Sequence, residues 1–271
     1  MAHSISRGWW FAALVAMLPL VALAASPVKK SEKEQSKVVD LFDGIKAGDI
    51  EVKVIPKDAK EGTVTIKNKT GKPLTIKVPD ALAGVPVLAQ LGGIGDPAGG
   101  IGGGNTNNNN QNQGFGGGMM GGMGMGGMGM GGMGMGGMGG GFFNVPADKV
   151  GKFKLVTVCL DHGLKDPNPR VPYELVPIES YAKDPAVAEV LKMMVKGKLD
   201  QHSAQAACWH LQNGMSWEEL AVKIGAKHLN GTVEAYFTPT HLERALAATQ
   251  FAQKQIESTK SVKQVESLAK E

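Results

Sequence analysis

Two cysteines and a run of paired methionines are the side chains whose type and spacing point to chemistry. Cys159 closes V-T-V-C and is followed by L-D-H-G-L-K-D, while Cys208 lies within A-Q-A-A-C-W-H. A thiol can pair with a second thiol, ligate a metal or attack a carbonyl, and its neighbours decide which. Cys159 and His162 make a C-x-x-H pair, and Cys208, His210 and His202 add further ligand types. Residues two apart on a helix point in different directions, so this set is poorly spaced for zinc. A Cys–His hydrolase built on Cys159 with His162, His202 or His210 has no flanking signature in its favour. The methionines offer softer chemistry. Met123 with Met125, Met128 with Met130 and Met133 with Met135 place thioethers two residues apart in repeated G-G-M-G-M units, and thioethers select Cu(I). The competing reading of this tract is a low-complexity tether able to self-associate, needing no cofactor.

The compartment weighs on these alternatives. After Arg7, Trp9 to Ala24 is an almost unbroken apolar run that ends Ala22-Leu23-Ala24, which reads as a signal peptide over residues 1–24. No second apolar stretch reaches membrane-spanning length, so the mature chain is expected to have no integral span and to be periplasmic, at the cell surface or secreted. An exported chain with two cysteines pairs them by default, making a Cys159–Cys208 disulfide the first expectation. Removing residues 1–24 lowers the net charge from +4 to +3. Lysines and acids interleave, with no arginine cluster and no aromatics spaced among the lysines, which argues against a nucleic-acid partner.

The elements that must position these residues follow from periodicity. Residues 25–48 form a lead-in in which Val38, Leu41, Phe42 and Ile45 have the spacing of a short helix. Ile50, Val52 and Val54, then Val64 and Ile66, then Leu74, Ile76 and Val78 alternate with polar residues as strands of a sheet with one wet face, across residues 49–90. Residues 91–141 collapse to Gly, Met and Asn and are read as a disordered insertion that buries no core. The remaining strands lie in residues 142–178. Among them Lys152 to Leu160 starts half-wet and ends apolar on both faces, a central strand that carries Cys159 inside. Residues 179–257 are helical, with Asp184-Pro185, Asp200, the capping box Ser216 to Glu219 and Thr240 as starts, and Gly197 and Gly214 as stops. Residues 258–271 are a polar tail.

The helix from Asp200 to Asn213 puts Ala204, Ala207, Cys208 and Leu211 on its core stripe, so a buried structural Cys208 and a surface or hydrogen-bonded Gln205 are the plain expectations. A-Q-A-A-C-W, followed by H-L-Q-N-G, also resembles the second signature of bacterial surface thioester domains, and V-C-L-D at Val158 to Asp161 resembles the first. That resemblance implies an internal thioester between Cys159 and Gln205 that captures host amines. The chain is thus expected to be α+β: a β-sandwich, immunoglobulin-like or related, interrupted by the Gly/Met-rich loop and followed by three or four packed helices. Its expected role is non-catalytic binding or structure at the bacterial envelope or exterior, towards a partner the sequence does not name. Covalent adhesion through Cys159 and Gln205, and Cu(I) binding by the methionine tract, are the alternatives.

Overall fold

The computed structural model describes residues 36–87, 111–119 and 141–268. The signal peptide over 1–24 and the methionines from Met123 to Met135 lie outside the described residues. Alternating residues build the first hairpin, β2 (Ile50–Pro56) with β3 (Glu61–Asn68), in which Val52 faces Ile66 and Val54 faces Val64. It comes after β1 (Lys37–Asp40) and the helix α1 (Leu41–Ala47). This helix starts later than the apolar spacing suggests, because Val38 and Val39 pair with a strand and Asp40 caps the helix by accepting the Phe42 N–H. β1 lies parallel to β4 (Leu74–Val78), which pairs antiparallel with β7 (Gly141–Val145) in a three-stranded sheet.

The class is α+β, but the main sheet closes on itself and is not a sandwich. Strand β3 pairs with β8 (Val150–Cys159), β8 with β6 (Phe115–Met119), β6 with β5 (Leu82–Pro86) and β5 with β9 (Tyr173–Pro177). Strand β9 then meets β2 at Tyr173 and Val54, completing a six-stranded barrel. Alternation of wet and dry residues is common to sandwiches and barrels; closure depends on which strands pair. Here the pairing runs through a strand inside the tract read as an insertion. Phe115 is fully buried, in the barrel cluster with Val64, Ile66, Leu82 and Leu155. The glycines after it are a packing requirement. A Cβ at Gly116 would lie 2.7 Å from a Leu191 methyl, at Gly117 2.1 Å from the Val156 carbonyl oxygen, and at Gly118 2.4 Å from that of Asp80. The start of β7 is drawn from the same tract.

Strand β8 behaves as its residues suggest, exposed at Val150 and buried from Thr157 onward. Phe153 and Leu155 face the barrel core, and Val158 faces a second cluster formed with the helices. Those are α2 (Ala186–Val195), α3 (Gln201–Asn213), α4 (Trp217–Ala221) and α5 (Pro239–Leu268). Asp200 and the Ser216–Glu219 box cap α3 and α4, and Gly197 and Gly214, both at φ +69°, end α2 and α3. The last helix begins at Pro239, one residue before the expected Thr240, with Thr238 Oγ1 just ahead of it accepting the His241 N–H at 3.2 Å, and it runs on through the stretch read as a polar tail. Between α4 and α5 the sequence reading missed a hairpin, β10 (Ile224–Lys227) with β11 (Val233–Ala235). Among the described residues no helix is long and apolar enough to cross a membrane.

Candidate functional site

The site begins where β3 runs out. Its register with β8 ends at Glu61 opposite Val156, after which Thr157 alone still reaches that chain, its N–H donating to the Lys60 oxygen at 2.9 Å and its hydroxyl to the Ala59 oxygen at 3.1 Å. Beyond that point β8 has backbone groups that must be satisfied out of water. The helix α3 satisfies them with two glutamines one turn apart, which therefore share a face. Gln201 Nε2 donates to the Thr157 oxygen at 2.7 Å and to that of Lys60 at 2.8 Å. Gln205 Oε1 accepts the Cys159 N–H at 2.8 Å, and its Nε2 donates to the Cys159 oxygen at 2.7 Å. A buried side-chain amide thus pairs with Cys159 as a neighbouring strand would.

The sequence reading brought Cys159 to Gln205, and the structure does so through the backbone of the cysteine. Its Sγ is directed to Asp166 Oδ1, 4.0 Å away. That oxygen also accepts from Gln113 Nε2 at 2.7 Å, and neighbouring Asp161 Oδ2 accepts the Gly114 N–H and the Tyr181 hydroxyl. Burial first, and then the charges of Asp166 and Asp161, push the Cys159 thiol far above its ordinary range, so it stays protonated near neutrality. Cys208 is fully buried on the core stripe of α3, where burial pushes its thiol up to about 12. Both cysteines are free.

The Cys and His residues weighed for zinc are dispersed. His210 Nδ1 bonds to the Met215 oxygen at 2.8 Å and its ring stacks on Trp217. His162 sits edge-on to Trp209, with centroids 4.8 Å apart, and its Nε2 is 2.8 Å from Lys223 Nζ. That ammonium lies 5.0 Å from the Trp209 ring centroid and 5.8 Å from that of Tyr236, a cation held on aromatic faces. Burial lowers the pKa of His162, with Lys223 adding to the effect; burial also lowers that of Lys223, against the opposing field of Asp166. Trp209 Nε1 is buried with no hydrogen-bond partner among the described residues.

The Tyr236 ring also lies 6.2 Å from that of His202, which stacks on His241 with centroids 5.0 Å apart and planes 11° from parallel. Together with Asp200 they are the one group among the described residues that brings three metal-ligating side chains together. Burial, then Lys60 and His241, lower the pKa of His202 against the pull of Asp200. Beside this group a groove of about 490 Å³ has Val156, Met194 and Leu199 in its lining and Lys60, Lys198 and Arg244 among its charges. Sequence reasoning took Asp200 as a cap only and missed Gln201, Lys223, Tyr236 and His241. The four-residue spacing of Gln201 and Gln205 was the one available signal; the others meet only through tertiary folding.

Comparison with known protein families, curated proteins and solved structures finds no match to any of them.

Proposed function

We propose that this is an exported, non-catalytic binding protein in which Cys159 and Gln205 join the helices to the barrel and do not react. The observation that carries this reading is the use of both ends of the Gln205 amide by the backbone of Cys159. Acyl transfer to Cys159 would require a thiolate facing that amide carbon, yet the sulfur is directed to Asp166, and burial with two carboxylates holds the thiol protonated. An open groove in which Val156, Met194 and Leu199 lie among three cations and the carboxylates of Glu61 and Asp200 is the surface on which we place that binding role. Export rests on the apolar run from Trp9 to Ala24.

Intact mass with and without methylamine tests this. The expected outcome is a chain with no mass deficit, no methylamine uptake, and two thiols that alkylate only after unfolding. Loss of one ammonia with methylamine uptake would establish the thioester and covalent adhesion instead. Loss of two hydrogens would establish the Cys159–Cys208 disulfide.

A further inference from the structure

We propose that Asp200, His202 and His241 form a Zn2+ site where the start of α3 meets the start of α5. One ligand atom from each residue lies within 4.8 Å of the others, and all three side chains are half-buried. Two imidazoles and one carboxylate make a donor set of the kind zinc takes at sites that keep an open position. It has too few oxygens for Ca2+ or Mg2+ and lacks the thioethers or thiolates that favour Cu(I). Zinc bonds of roughly 2.0–2.2 Å place neighbouring donors about 3.4 Å apart, so loading draws the group together by an ångström or so. The His202 and His241 rings are 11° from parallel, so loading also turns one of them until the in-plane lone pairs converge, a rotation open to half-exposed side chains on two helix starts.

The donors are available to different degrees. Among the described residues no group hydrogen-bonds to a ring nitrogen of His202; its contacts are the stacked His241 ring and the Tyr236 ring. Asp200 Oδ1 accepts only the Ser203 N–H, at 2.9 Å, and keeps a lone pair. Asp200 Oδ2 accepts the Ser203 hydroxyl at 2.7 Å and Arg244 Nη1 at 3.3 Å. His241 Nδ1 accepts the Thr238 N–H at 3.2 Å, a long bond. Zinc at Nε2 requires the proton on Nδ1, so loading exchanges that bond for the metal. The metal would tie α3 to α5 beside the groove that Asp200 and Arg244 also line.

The test uses the full chain, Zn2+ competition against a chromophoric chelator, and Co2+ absorption as a report on coordination. One Zn2+ per chain is expected to bind, with visible Co2+ bands of an N/O site. His202→Ala and His241→Ala should each weaken binding about 10-fold or more, because even outer partners of a metal ligand are worth that much. His228→Ala, on the β10–β11 hairpin, should change nothing. Absence of binding to the unaltered chain overturns the site, and so does unchanged affinity in both His202→Ala and His241→Ala. If His202→Ala does not fold, because its ring packs on Tyr236, His241→Ala at the exposed start of α5 decides alone.

Discussion

Replacing Gln205 by Ala would leave the Cys159 N–H and C=O without partners in a buried place. Each such orphan costs about 1–3 kcal/mol, so Gln205→Ala should lower stability by roughly 2–6 kcal/mol in urea unfolding. Cys159→Ala keeps both backbone bonds and loses only a small buried sulfur, so its cost should be about 1 kcal/mol. Equal effects of the two changes would contradict the asymmetry that the geometry requires. The proximity of these residues was legible in the sequence, since a strand ending in cysteine and a helix with Gln205 at the edge of its core stripe were both visible. Their relation was not. A side chain that substitutes for a missing strand leaves no periodic mark, and the need for it arises only where β3 stops and β8 goes on.

At the scale of elements the telling case is β6. A strand is usually recognised by β-branched and aromatic residues in alternation, and F-G-G-G-M offers one aromatic followed by three glycines. What makes it a strand is its surroundings: the Val156 and Asp80 carbonyl oxygens and Leu191 leave no room for side chains. Gly117→Ala, whose Cβ would fall 2.1 Å from the Val156 oxygen, should therefore cost about 3 kcal/mol or more, as overpacking against backbone cannot be relieved by a rotamer change. Gly71→Ala meets nothing within 4 Å and should stay within about 0.5 kcal/mol of the parent. Thermal unfolding of both variants checks this, and similar melting temperatures would mean that β6 is not held in the barrel. The helices were legible for the opposite reason. Asp200, Ser216, Gly197 and Gly214 act on their own backbone neighbours, so local sequence carries their meaning. Hairpin β10–β11 escaped because Val222, Ile224, Leu229 and Val233 are exposed and bury no alternating face.

For the whole molecule, burying thiols and an imidazole at the junction of barrel and helices bounds the pH range of greatest stability. His162 has a pKa below its ordinary 6.5 in the folded chain, through burial and Lys223. As pH falls through 6.5 the unfolded chain takes up a proton that the folded chain refuses, so stability is full above that value and is lost below it. Cys159 and Cys208 behave in the opposite sense. Burial raises both above the ordinary 9.0, so the unfolded chain releases protons first and stability declines as pH rises past 9.0. Tyr173 and Tyr181, also raised by burial, extend this decline above 10, while Lys223, lowered by burial, opposes it there. Urea midpoints under reducing conditions should thus be highest between about pH 7 and 9 and fall on both sides. His162→Gln should remove part of the acid limb near pH 6, the rest staying with His202, whose pKa burial also lowers, and Cys208→Ala should remove part of the alkaline limb without moving the acid one. Measured without reductant, the alkaline limb also separates free thiols from a bridged pair. A disulfide has no thiol proton to release, so midpoints in Cys208→Ala that track the parent from pH 8 to 10 would show that this thiol does not titrate on unfolding, against the free, buried state of Cys208.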